Sequence, residues 1–260
     1  MIRVGVFGAG GRMGRTVCQA VIDDPDLELA AAVDPFHAGL DLRQVIGADV
    51  PLQMAADAEP MLDAGVDVAV DFTGLEPARV NLTWLAANGI HAVVGTSGFT
   101  AADLDRLTAS FTRSNCVIAP NFAIGAVLMM RFAELAAPYF ETAEIIELHH
   151  DQKIDAPSGT AMVTAQRMAA ASADWAPDPT ETGSPGARGA AGPAAIPIHS
   201  VRLRGIIAHQ EVLLGTTGQT LTIRHDSYDR SSFMPGVLLA VKKIGDTPGL
   251  TLGLDALLDL

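Results

Sequence analysis

The chain has 260 residues, of which 49% are hydrophobic and 18% charged, with a formal net charge of -13. That length suits one large domain or two modest ones, and the acidic balance excludes a surface built to attract nucleic acid or an anionic membrane, since both require a basic field. An anionic ligand would need positive groups gathered locally.

The two cysteines, Cys18 and Cys116, lie in apolar sequence without a CxxC or Cys/His ligand spacing, so neither a disulfide framework nor a metal site is expected. The amino terminus passes from a short apolar stretch directly into glycines, without a cleavage pattern. No stretch approaches the about 20 apolar residues of a membrane span. A soluble, cytoplasmic protein is expected.

In chain order, Ile2 to Phe7 has the β-branched pattern of a strand, the glycines of "GAGGRMG" follow, and Arg15 to Asp24 carries Val17, Ala20 and Val21 at the spacing of one helical face. Leu27 to Asp34 is a second strand, Val66 to Asp71 a third and Ile90 to Val94 a fourth, with a helix over 77–89 between the last two. "NCVIAPNFA" supplies a fifth. Short, nearly continuous apolar strands alternating with amphipathic helices predict an α/β fold, a Rossmann-like doubly wound parallel sheet.

After Phe122 the pattern changes. A long helix over 123–140 is followed by a strand over 143–150, a helix from Thr160 to Ala171, an Ala/Pro/Gly-rich loop from Ser172 to Pro197, and strands within 199–215 and 219–227. This is an α+β second domain with a largely open mixed sheet. The closing 233–245 is again helical and is expected to return, with the tail, to the first domain. The expected division is therefore 1–121 with 231–260 for dinucleotide binding, and 122–230 for substrate binding and oligomerisation.

Gly8 to Gly14 sits between a strand and a helix, where glycines let the backbone approach a pyrophosphate held at a helix N-terminus. Gly8, Gly10 and Gly14 miss the G-x-G-x-x-G spacing by one position, and Gly8, Gly11 and Gly14 give a second alignment. Asp34 ends the next strand twenty positions after Gly14, where a carboxylate can accept the adenosine ribose hydroxyls. Pro35 stands where NADP-preferring sites often place arginine, which favours NADH on charge grounds; Arg12 keeps NADPH open as a 2'-phosphate contact.

The segment "LHHDQKIDAPSGT" gathers His149, His150 and Lys153 into a cationic cluster within an acidic chain. Successive strand side chains point to opposite faces, so both histidines reach one pocket only where the chain leaves the sheet. Ser158 and Thr160 are N-cap candidates for the next helix, with Gly159 admitting a ligand close to the backbone amides. Together these groups make a receptor for a small dicarboxylate. Gly95 to Phe99 and Ala119 to Gly125 follow strand ends and should line the nicotinamide half of the site. Arg188, His225 and Arg230 are further candidates beside an anionic substrate.

The motifs "GAGGRMG", "GTSG", "APNFAIG", "ELHHDQKIDAPSGTA", "IHSVRLRG" and "HDSYDRSSF", in this order, resemble the dihydrodipicolinate reductase family of the bacterial lysine and diaminopimelate pathway. The resemblance implies an NAD(P)H-dependent enzyme that delivers hydride to C4 of a cyclic imine dicarboxylate and protonates C3. It implies His149 as acid/base and Lys153 as proton donor, with His150, Ser158, Gly159 and Thr160 binding substrate. Gly8, Ala9, Gly10, Gly11, Arg12, Met13, Asp34, Gly95, Thr96, Ser97, Ala119, Pro120, Asn121 and Phe122 are implied to hold NADH or NADPH. No metal is implied, and a homotetramer built through the second sheet is. Pro35, and Gly74 where an arginine is often found, depart from NADPH-preferring members. The competing expectations are another two-domain NAD(P)-dependent dehydrogenase and a non-catalytic nucleotide sensor.

Overall fold

The computed structural model describes residues 1–260. The chain divides into two compact units, one of Met1–Phe122 with Phe233–Leu260 and one of Ala123–Ser232.

The first unit opens with β1 (Ile2–Phe7), α1 (Arg12–Asp23), β2 (Leu27–Val33), α2 (Leu42–Ile46), α3 (Pro60–Asp63), β3 (Val68–Asp71), α4 (Leu75–Asn88), β4 (His91–Val94), α5 (Ala101–Ser110) and β5 (Cys116–Ile118). The second comprises α6 (Ile124–Ala136), β6 (Thr142–His149), α7 (Gly159–Ala171), β7 (Ala190–Ala191), β8 (Pro197–Arg202), β9 (Ala208–Thr216) and β10 (Gln219–Ser227). The chain then returns with α8 (Met234–Lys243) and β11 (Leu250–Leu252).

The first sheet runs β11-β5-β4-β3-β1-β2, and every pairing in it is parallel. Its strands are apolar on both faces because helices cover both; Val4, Val6, Ala69, Val70, Val93 and Val94 are all fully buried. The order reverses between β1 and β3, which opens a crevice at the carboxyl edge where such sheets bind ligands. β11, three residues in the tail, adds a sixth strand by pairing with β5. Helix α5 is fixed locally by a capping box, in which Thr100 accepts from Asp103 N–H and Asp103 accepts from Thr100 N–H.

The second sheet runs β10-β9-β6-β8-β7, with β6 and β8 parallel and the remaining pairs antiparallel. Ala143, Ile145 and Glu147 of β6 are buried, whereas Glu144, Ile146 and Leu148 are only half-buried. The buried side faces α7, since Gln210 of β9, opposite Glu147 in the ladder, donates to Thr164 of that helix.

Local differences from the sequence expectation have tertiary causes. The expected loop over 172–197 contains β7, two residues that exist as a strand only because they pair with β8. The strand expected from His199 begins two residues earlier and stops at Arg202, because Arg204 and Gly205 turn the chain toward β9.

Candidate active site

In the first unit, Gly8 adopts φ +69°, a left-handed conformation that favours glycine, and its N–H and that of Ala9 donate to Val33 O at the end of β2. A methyl on Gly14 would stand 1.9 Å from Gly8 O, so α1 can begin beneath the loop only with glycine there. Gly11 caps α1 without a side-chain cap bond, and no acidic residue lies in the first turn, which leaves a helix start suited to a phosphate. Gly10 packs under His37 and Asp34, and a methyl on Gly11 would stand 3.1 Å from Gly8 O.

Asp34 is 5% exposed and already partly engaged. Its Oδ2 accepts Gly10 N–H at 3.0 Å and its Oδ1 accepts Phe36 N–H at 3.0 Å. His37 Nδ1 approaches the same carboxylate at 3.1 Å, a neighbour that the spacing argument overlooked. Beside Asp34 lies a cavity of about 560 Å³ lined by Gly8, Pro35, Thr73, Pro77 and Trp84. Asp34, Asp57 and Glu59 also line it, and no lysine or arginine does.

The loops after β3, β4 and β5 are tied to one another. Asp71, fully buried, accepts from Thr73 N–H and Oγ1, from Thr96 Oγ1 and from Asn81 Nδ2. A side chain on Gly95 would run into the Phe72 ring, which in turn packs on Phe122 with centroids 5.7 Å apart. Ala119 N–H donates to Val94 O. Gly95, Thr96, Ala119 and Phe122 thus form one edge around Asp71 and Phe72. These two residues were not anticipated, although Asp71 was visible as a polar residue ending an apolar strand. Cys18 and Cys116 are buried, and burial pushes the Cys18 thiol up to about 12 and raises that of Cys116 further, which makes both inert.

In the second unit, β6 ends at His149 and the chain leaves the sheet at once. His150 accepts Gln152 N–H on Nδ1, and Lys153 N–H donates to His150 O, so a tight turn follows the strand. His149 stays on the strand, with its Nδ1 at 2.5 Å from Glu147 Oε2. Glu147, two residues earlier on the same face, has a fully buried carboxylate. It also accepts both terminal nitrogens of Arg202 at 2.9 and 2.8 Å and Ser158 N–H at 3.2 Å. Burial by itself would raise its pKa, but the hydrogen bonds from His149, Arg202 and Ser200 outweigh that and bring it down to about 2.

Ser158 is the N-cap of α7, its hydroxyl accepting Ala161 N–H; Thr160, the other candidate, lies within the first turn. Glu147 and Ser158 therefore take two of the donors that open the helix. Gly159 remains exposed, and a side chain there would meet no atom within 4 Å, so the helix start is open at that point. Lys153 is not an isolated cation, because its Nζ lies 2.7 and 2.9 Å from the carboxylate oxygens of Asp155, and this pairing lowers the pKa of Asp155. Arg202 also donates to Asp155 O, which ties the lysine turn to the Glu147 centre.

Sequence reasoning missed Glu147, Arg202 and Asp155. An acid two positions before His149 on a strand was legible; the Arg202 contact was not, since it depends on the parallel pairing that sets Arg202 beside His149. Arg188 lies elsewhere, bonded to Glu144 and Asp178, where it fastens the 172–197 segment to the sheet. His225 packs over Gly125, and burial lowers its pKa.

The family model for the N-terminal part of dihydrodipicolinate reductase matches residues 2–122, and that for its C-terminal part matches 125–258. The chain is 52% identical to a 4-hydroxy-tetrahydrodipicolinate reductase of Nocardia farcinica, over 100% of this chain and 99% of that one. It is 51% identical to the protein of the same description in Mycobacterium sp. strain KMS, over the whole of both. Among solved structures, a dipicolinate-bound dihydrodipicolinate reductase from Paenisporosarcina sp. TG-14 superposes with a TM-score of 0.86 at 42% identity, covering 98% of this chain and 99% of that one. An amine dehydrogenase from Mycobacterium smegmatis, with TM-score 0.68 at 13% identity over 96% of this chain and 94% of that one, shares the fold alone.

Proposed function

Given that the chain belongs to the dihydrodipicolinate reductase family, we infer that it reduces 4-hydroxy-tetrahydrodipicolinate to tetrahydrodipicolinate with a nicotinamide cofactor, in lysine and diaminopimelate biosynthesis. The observation that carries the assignment of the site is the grouping of His149, Lys153 and the open start of α7 around one buried carboxylate, Glu147.

His149 is the acid that protonates C3. Imidazole suits that role because its ordinary pKa of roughly 6.5 lies near working pH. Lys153 and the Gly159 end of α7 hold the two carboxylates of the substrate, the helix through its positive end. For Lys153 this requires one carboxylate to exchange for another, since Asp155 occupies it beforehand. His150 and Thr160 flank the same turn and helix start, and the dipicolinate carried by the Paenisporosarcina relative is a ligand of the chemistry expected here.

Gly8 to Met13 would hold the pyrophosphate, Asp34 the ribose, and the loops at Gly95 to Ser97 and Ala119 to Phe122 the nicotinamide. The chemistry that a reduced nicotinamide would supply is the hydride that C4 receives. NADH is preferred over NADPH, because a 2'-phosphate beside Asp34 would add negative charge to a cavity lined by three carboxylates and no cation. The enzyme is cytoplasmic and acts as a homotetramer. Half-buried Ile146, Leu148, Val201 and Leu213 of the second sheet are the apolar residues such an assembly would cover.

The test is to follow loss of reduced nicotinamide absorbance when the purified protein is offered freshly made dihydrodipicolinate synthase product. Oxidation with that substrate, and none with amino acids or sugars, is expected. Tight NADH binding without any oxidation would replace the enzyme with a nucleotide sensor.

A further inference from the structure

We propose that Glu147 is the positioning residue for His149: its buried carboxylate fixes the ring with the proton on Nδ1, leaves Nε2 as the nitrogen that serves the substrate, and joins that ring to the start of α7 through Ser158 N–H.

Glu147 lies entirely below the surface, so it acts on substrate only through other groups. A carboxylate without a proton can only accept, so each contact to it must be a donor. The 2.5 Å contact therefore requires a hydrogen on His149 Nδ1; the neutral ring then carries its lone pair on Nε2, which takes up the second proton, and the imidazolium so formed gives that Nε2 proton to C3 and returns to the same neutral tautomer. A ring with the opposite tautomer would set two lone pairs against each other. The imidazole keeps 16% of its side-chain surface exposed, whereas the Glu147 side chain keeps none.

The remaining contacts explain how the charge persists in a buried site. Arg202 closes a two-point fork on both oxygens, and the fork's own planarity fixes the carboxylate plane. Oε1 then takes Ser158 N–H, the residue that caps α7. The hydrogen bonds hold Glu147 ionised well below neutral pH. One carboxylate thus orients the proton carrier on β6 and the carboxylate-binding helix start relative to each other. Rigid support of this kind maintains reacting groups within a fraction of an ångström.

The kinetic consequence rests on the assignment of His149 as proton carrier; the tautomer does not. Nitrogen NMR of histidine-labelled wild-type enzyme at alkaline pH, with His149 identified by its absence in His149→Gln, should show a protonated Nδ1. The opposite tautomer overturns the proposal without recourse to any further variant. In Glu147→Gln that preference should be lost and kcat should fall about 10²-fold, the lower end of what a positioned acid contributes. KM and the NADH dissociation constant should stay within about threefold, and Glu147→Asp should recover part of kcat. Added to His149→Ala, Glu147→Gln should cost nothing more in kcat, because both act through one ring. A full further loss in that double variant would make Glu147 a structural residue only. Normal turnover in His149→Ala would remove the proton role of His149, and the nitrogen spectrum would then decide the tautomer alone.

Discussion

Arg202 and Glu147 meet face to face in the second sheet, the guanidinium giving one nitrogen to each carboxylate oxygen at 2.9 and 2.8 Å. Parallel pairing of β6 with β8 makes this possible, since it places Arg202 beside His149 and two residues beyond the position opposite Glu147. Removing the arginine would strand a buried negative charge. Arg202→Met should destabilise the 123–232 unit by about 3–5 kcal/mol, the cost of breaking a buried ion pair from one side. Arg202→Lys should recover little, because an ammonium cannot form the fork. Chemical denaturation checks both, and a change below 1 kcal/mol, approximately the value of a surface pair, would contradict this account.

Acid should weaken the same unit in a defined window. Glu147 titrates near 2 in the folded protein, against 4.5 for the free side chain. A depressed carboxylate contributes stability that is complete above the unfolded value and disappears as pH falls through the folded one. Unfolding free energy should therefore drop between about pH 4.5 and pH 2. In Glu147→Gln that part of the slope should be missing. An identical acid profile in wild type and variant would show that the carboxylate is not the group responsible.

His149→Ala and Lys153→Ala should each lower turnover while leaving nucleotide affinity intact, for His149 by about 10²- to 10⁴-fold as the loss of a positioned acid. Steady-state rates together with NADH titration test this. For Lys153, part of the effect should appear in KM for the dicarboxylate, because the same ammonium would hold a substrate carboxylate. Normal kcat in either variant would remove that residue from the mechanism.

Gly14→Ala would place a methyl 1.9 Å from Gly8 O and 2.8 Å from Ala9 Cα, both of them backbone atoms. The expected result is a loss of at least about tenfold in NADH affinity, equivalent to ~1.4 kcal/mol, with about 1–3 kcal/mol of overpacking cost in stability. Gly39→Ala, at a glycine with open space around it, separates that clash from a general loss of glycine. Its positive φ of 82° should cost stability without affecting nucleotide affinity.

Cofactor choice can be measured directly. Wild type should bind NADH more tightly than NADPH. Pro35→Arg should raise NADPH affinity by about tenfold, or ~1.4 kcal/mol, by setting a cation beside Asp34 in a cavity that lacks one. If wild type instead holds NADPH many times more tightly, the three lining carboxylates do not control the choice.

The amino-acid sequence by itself determined the class of each half of the chain. Continuous apolar strands such as Val68–Val70 announce a sheet covered on both faces, and the run of strands with little helix between them after residue 199 announces an α+β half. It also singled out the short segment to which the chemistry is assigned in the proposed function, because two histidines, a lysine and a helix-capping serine within thirteen residues form a local pattern. What tertiary structure alone decided is how that chemistry is organised. Lys153 looks like a free cation in sequence and is paired with Asp155 in the fold. Arg188 is a candidate beside an anionic substrate in sequence and is bonded to Glu144 and Asp178 in the fold. Glu147 looks like one more strand acid, yet it bonds to groups 55 residues away in Arg202 and 11 away in Ser158. Period and spacing report which face a side chain takes and how a backbone segment begins or ends. They carry no information about which distant strand pairs alongside, and at this site that pairing brings the compensating charge that lets a carboxylate stay ionised beneath the surface.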